Sequence, residues 1–316
     1  MTAHLVPLLA CLELDEVDLH DDRSADVLRA LLAAVHSSST LQSLYINMRS
    51  TDFHGHALDA LAEGLAASSG VRELALYSLT TEQGARFAVA GLPPALEGLH
   101  GRCCNDQSLL LRAASHAAHL ARFRWVMSGV NSSEQTEPLR ALLASTTQLR
   151  ELSLSYGQSK VGWLEEPKML EHSAVLGPAV CACSPLRFLR LGCKMFLAHM
   201  VLAVAAAALR GNGTLHELFV GFDCSGSYGR ERPLVARHAV EVAARLPELA
   251  APLRTATALR VMRIVVMSRG PRNLNETLQS LCDQARAALS VAPRAASGAL
   301  LVDVVLSRAE HASFFS

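Results

Sequence analysis

The stretch that decides the fold is Ala57–Leu76, ALDALAEGLAASSGVRELAL. Leu58, Leu61 and Leu65 recur at the interval that puts apolar side chains on one side of a helix. The small, mostly polar run Ala66-Ala67-Ser68-Ser69-Gly70 suits a helix exit. Val71, Leu74 and Leu76 then follow the spacing L-x-x-L-x-L, in which three apolar side chains point into a core while the residues between them face outward. The stretch therefore predicts a helix, a turn and a short strand, in that order.

Both halves of this pattern recur. Clear copies of the strand phrase are Leu9/Leu12/Leu14, Leu41/Leu44/Ile46, Leu149/Leu152/Leu154, Leu186/Leu189/Leu191 and Leu215/Leu218/Val220. Degenerate copies are Leu96/Leu99/Gly101, Leu120/Phe123/Trp125, Leu259/Met262/Ile264 and Leu301/Val304/Leu306. Helical spacing returns at Val27, Leu28, Leu31, Leu32 and Val35. The last apolar residue of a helix stands six positions before the strand phrase in Val35/Leu41, Leu65/Val71, Leu143/Leu149 and Leu209/Leu215, a register that unrelated elements would seldom keep.

On the stretches ALDALAEGLAASSGVRELAL, PLRALLASTTQLRELSL and AAAALRGNGTLHELFV, the chain resembles leucine-rich-repeat proteins of the ribonuclease-inhibitor-like kind along essentially its whole length. The resemblance implies a single α/β solenoid domain over 1–316, a curved horseshoe of about ten strand-helix repeats with short parallel strands on its concave side and helices on its convex side. It does not imply inhibition of a nuclease. Regular members carry Asn or Cys at the ninth position of the phrase, where it bonds the loop backbone. Here that position holds Val17, Arg49, Leu79, Ser128, Gly157, Lys194 or Asp223, and only Cys104 conforms. An irregular solenoid is expected, most irregular near 96–130, with its turns satisfied by other means. The competing reading is an ordinary α/β domain, which requires longer strands and a glycine-rich phosphate turn; the sequence has neither.

Composition narrows the function. With 29 basic and 29 acidic residues in 316, no net field recruits nucleic acid or a membrane. The longest apolar run, Met195–Leu209, is too short to span a bilayer and reads as a buried helix. The start, with Glu13, Asp15 and Glu16 directly after a short apolar run, does not resemble a secretory signal, and the scattered cysteines suit a reducing compartment, so a cytoplasmic location is expected. The Asn131, Asn212 and Asn275 sequons carry no weight there. Phosphate cradles, zinc helices and nucleophile elbows are absent as motifs, so no catalysis and no cofactor are expected. Cys181, Cys183 and Cys193 with His172 and His199 are ligand types, but the spacing is not C-x-x-C and core packing explains them better. Cys103 and Cys104 beside His100 read as filler rather than reactive thiols.

The outward positions of the phrase, its third, fifth and seventh, carry the expected binding surface. On the concave face they offer Tyr45, Tyr77, His100, Arg102, Arg122, Arg124, Phe188, Arg190 and Phe219, with Glu13, Asp15 and Glu73 making the first three repeats acidic. Arginine and aromatic side chains dominate binding energy at protein interfaces. Long excursions expected at 156–167, 222–233 and 268–275 add a rim with Trp163, Tyr228 and Arg230. The expectation is a scaffold or adaptor for a protein with an acidic surface. The alternative is a regulator of an enzyme such as a small GTPase, or a ubiquitin-ligase substrate-recognition subunit.

Overall fold

The computed structural model describes residues 11–15, 40–47, 55–103, 107–127, 132–157, 166–194, 197–224, 232–268, 272–290 and 300–308. The chain divides into two compact units, Met1–Leu149 and Arg150–Ser316. The first contains β1 (Cys11–Asp15), β2 (Ser43–Asn47), α1 (Gly55–Ala66), β3 (Glu73–Leu79), α2 (Thr81–Ala90), β4 (Gly98–Cys103), α3 (Ser108–Ala114), β5 (Arg122–Met127) and α4 (Ser132–Ser145). The second contains β6 (Glu151–Tyr156), α5 (Glu166–Ala182), β7 (Phe188–Lys194), α6 (Ala198–Gly211), β8 (Glu217–Cys224), α7 (Arg232–Arg245), a 3-10 turn (Leu246–Leu249), α8 (Ala250–Leu253), β9 (Val261–Ser268), α9 (Arg272–Ser290) and β10 (Leu301–Arg308). Within each unit every strand pairs in parallel with the next in sequence. Parallel neighbours need a crossover, and from β2 onward the described helices supply it.

The core follows the phrase. Leu44, Ile46, Leu74, Leu76, Leu152, Leu154, Leu189, Leu191, Met262 and Ile264 are all buried, and so are Leu58, Leu61 and Leu65 on the helix that leads into β3. The predicted helix over 27–35 lies outside the described residues. Pro178 is accommodated inside α5, which continues past it to Ala182.

The six-residue register has a physical cause, and it extends beyond the copies visible in the sequence. In Ala114/Leu120, Val180/Leu186 and Leu253/Leu259 two turns follow each other: the N–H of Ala117 donates to Ala114 O and that of Leu120 to Ala117 O, with the same relay through Cys183 and through Ala256. Two three-residue steps make six. The midpoint is buried under the turn at Ser68, Thr146, Cys183, Asn212 and Ala256, and half-buried at Ala117.

These corners also carry the polar bonding that the ninth position of the phrase lacks. Asn212 Nδ2 donates to Val180 O at 3.0 Å and to Cys183 O at 2.9 Å, tying its turn to the same turn one repeat earlier. Its Oδ1 accepts from the N–H of Thr214, whose hydroxyl reaches back to Leu186 O. Ser145 to Ser115 O and Thr255 to Leu209 O repeat the device. The strands have their own link: Arg72 O accepts from the N–H groups of Glu97 and Gly98, Glu97 O from Ala121 and Arg122, and Arg187 O from His216 and Glu217.

The irregularity expected near 96–130 resolves into a substitution of volumes. Gly101 occupies a core position where leucine is usual, and a Cβ there would lie 2.2 Å from the Trp125 ring. Trp125, fully buried and stacked on Phe123 at 5.4 Å, fills both places. The β4 and β5 strands remain in register through Gly98–Cys103 and Arg122–Met127. One bulge intervenes, at Ser78, where the register between β3 and β4 shifts and φ is 59°. Thr80 and Gln83 then cap α2 reciprocally.

Two expectations are corrected. Leu301 is not a core residue: it pairs with Val261 and is 60% exposed, while Val302 and Val304 take the places aligned with Met262 and Ile264. The repeated Leu-x-x-Val-x-Leu spacing of 301–306 matched the phrase two residues out of register. The excursions are also shorter than expected, because β6 includes Tyr156, β8 runs to Cys224, and α5, α7 and α9 begin at Glu166, Arg232 and Arg272. Trp163, Tyr228 and Arg230 lie outside the described residues, as does Cys104.

Candidate binding faces

Parallel registry aligns the outward side chains of the first unit into rows. One row is Ser43, Glu73, Gly98 and Arg122; the next is Glu13, Tyr45, Ala75, His100 and Arg124; the third is Asn47, Tyr77, Arg102 and Val126. The sheet thus brings together six of the expected site residues: Tyr45, Tyr77, His100, Arg102, Arg122 and Arg124. Tyr45 and Tyr77 stack with centroids 4.9 Å apart. Arg102 and Arg124 are exposed.

Arg122 has a different situation from the other two arginines. It pairs with Glu73 across β4 and lies 3.6 Å from Glu97, which in turn meets Arg72 at 2.5 Å. The Glu73 carboxylate lies directly over Gly98, where a Cβ would come within 1.8 Å of Oε2. A glycine at that outward strand position is what lets a carboxylate on β3 reach a guanidinium on β5. The two glutamates pair with Arg72 and Arg122, while Arg102 is exposed and forms no ion pair among the described residues.

His100 sits beside this network. Its Nε2 is 3.5 Å from Glu73 Oε2, within ion-pair range, yet it makes no hydrogen bond. Burial and the positive charge of Arg124 hold its pKa below the usual histidine value, with Glu73 opposing them. The imidazole is therefore neutral near pH 7, and His100 adds no charge to the arginines.

In the second unit the middle row reads Ser153, Arg190, Phe219, Arg263 and Asp303. The Arg190 guanidinium lies over the Phe219 ring at 5.5 Å, and Arg263 bonds Asp303 at 2.9 Å. Phe188 is 38% exposed in the adjoining row with Glu151, Glu217, Val261 and Leu301. Phe188, Arg190 and Phe219 thus share a second face. The exposed Leu301, beside Val261 at the far end of that row, was missed because the sequence phrase placed it in the core.

The seventh positions of the phrase are less available than expected. Asn47 and Ser155 are 6% and 7% exposed, and Gly192 and Gly221 are buried. Short side chains there lie below taller neighbours, such as Tyr77 beside Asn47. The third and fifth positions hold most of the accessible chemistry.

The candidate thiol and imidazole ligands occupy separate structural roles. His172 is buried against Tyr156, with Nε2 3.1 Å from the phenol oxygen, and burial lowers its pKa to about 4. The Cys181 sulfur packs against Gly211 on the next helix, and burial pushes the Cys183 and Cys193 thiols upward, away from the thiolate form. Among the described residues no group of three or more His, Cys, Asp or Glu side chains is placed to hold a metal ion. Among them, too, no helix is long and apolar enough to cross a membrane. No family model and no curated protein matches the chain.

Proposed function

We propose that the chain is a divergent leucine-rich-repeat protein that acts as a protein-binding scaffold or adaptor through the open face of its strands, without catalysis of its own. The observation that supports this reading best is the concentration of Arg102, Arg124 and the stacked Tyr45 and Tyr77 on one face of β2 to β5, at positions with no duty in the core. Solvated charge by itself would not need two tyrosine rings held against each other beside it. Arginine and tyrosine are residue types over-represented among interface anchors. The exposed guanidinium groups of Arg102 and Arg124 suit an acidic protein surface.

The test uses the full chain and its Arg102→Glu/Arg124→Glu variant as baits. Both side chains are exposed, so circular dichroism should be unchanged. A protein retained by the wild type and lost by the variant is the expected result. Equal retention by the two baits would remove this face from the function.

A further inference from the structure

The first unit offers more than a basic patch: it sets an aromatic seat and a cationic seat at a fixed separation. Tyr45 and Arg124 lie in one row, joined through Ala75 and His100 on the two intervening strands. Three strand spacings of ~4.8 Å put these positions about 14 Å apart, the reach of about four extended residues. Arg102 stands one row further along β4, beside Tyr77 on β3. Between the seats the floor is low, formed by Ala75 and by His100, whose imidazole is partly buried and neutral.

We infer that this surface binds an extended acidic peptide segment lying across the strands, with an aromatic side chain on the Tyr45–Tyr77 stack and carboxylates three and four residues away on Arg102 and Arg124, respectively. The assignment rests on the binding reading above and adds to it the chemical pattern of the partner. Charge complementarity argues for it: Glu73 and Glu97 balance Arg122 and Arg72, while Arg102 forms no ion pair among the described residues. Glu13 on β1 is exposed beyond the tyrosines and repels carboxylates at that end, which fixes the direction of the segment. A ring seated at the tyrosines gains stacking with little loss of conformational freedom, because the platform is already formed.

The test is fluorescence anisotropy with the full chain and a labelled peptide Gly-Trp-Ser-Ser-Glu-Glu-Gly in low salt. Saturable binding is expected, weakened at least tenfold by Arg102→Glu/Arg124→Glu and weakened strongly by 0.3 M salt. Replacing both glutamates of the peptide by lysine should abolish binding. Tyr77→Ser should weaken the tryptophan peptide several-fold and leave a serine-substituted peptide unaffected, which separates the aromatic seat from the charge. Arg210→Glu, an exposed change in the other unit, should alter nothing. Absence of saturable binding to the wild type, equal binding by the arginine variant, or equal binding of the lysine peptide would overturn the assignment. If the peptide fails while the arginine variant still loses a captured protein, the scaffold reading stands and only the peptide pattern falls.

Discussion

Glu73 on β3 reaches Arg122 on β5 by passing over Gly98 of the strand between them. The pair joins two strands that are not neighbours, and it does so on the face where binding is proposed. Its energetic weight is modest, about 0.2–1 kcal/mol for a pair this accessible, because water screens both partners. Its larger effect is to hold Arg122 against Glu73, whereas Arg102 forms no ion pair among the described residues.

The Gly98→Ala change should therefore destabilise the protein by about 0.5–1 kcal/mol, since the methyl group evicts the carboxylate rather than backbone. Placed on Glu73→Ala, the same change meets no carboxylate and should become neutral or stabilising by about 0.5 kcal/mol, as the unfolded chain loses freedom. Urea denaturation of the four proteins in this cycle measures the reversal. An equal cost in both backgrounds would mean that Gly98 serves some other contact.

Gly101 and Trp125 make a second coupled pair, this time in the core. Gly101→Leu restores the usual phrase residue but drives a side chain into the indole, and should prevent folding or cost several kcal/mol, on the order of the large overpacking penalties. Trp125→Leu alone leaves a cavity and should cost about 3–5 kcal/mol. The double variant should recover part of that loss. Denaturation midpoints of the three variants decide whether the two positions share one volume.

Asn212 should be the most sensitive residue of the turns. Asn212→Ala strips two donors from buried carbonyls and should lower stability by about 2–3 kcal/mol. Asn212→Asp should be at least as damaging, because it offers oxygen where Val180 and Cys183 already present oxygen. Thermal unfolding of both variants gives the comparison. The same burial places the Asn212 sequon amide out of reach in the folded chain.

Acid should destabilise the second unit through His172. Its pKa is near 6.5 when exposed and about 4 when buried in the fold, so the unfolded chain binds the proton first. Stability from this group is complete above pH 6.5 and declines progressively as pH falls toward 4, by about 3 kcal/mol in all. His172→Gln keeps a hydrogen-bonding group for Tyr156 but does not titrate, so its denaturation midpoint should fall less than the wild type's between pH 7 and pH 4.5. An identical fall in both proteins would assign the acid sensitivity elsewhere.

The repeat could be read from the sequence because burial imposes it locally: Leu65 and Val71, or Leu209 and Leu215, must each enter the core across one turn. The copies at Ala114/Leu120 and Val180/Leu186 escaped notice because alanine and valine at a helix end are weak signals on their own. Leu301 shows the opposite failure, an apolar spacing that fits the phrase while the pairing with Val261 sets another register. Site residues were found by their position on strands, yet their charge balance was not, since the Glu73–Arg122 pair depends on a glycine 25 residues from one partner and 24 from the other. No local pattern carries that information.

The most direct test of the binding face is hydroxyl-radical footprinting of the chain with and without a protein captured by it. The account predicts reduced labelling of Tyr45, Tyr77 and Arg124, and unchanged labelling of Val89 and Leu109, which are 87% and 51% exposed on α2 and α3. Protection of Val89 and Leu109 with the tyrosines and Arg124 unaffected would place the partner on the helices and contradict it.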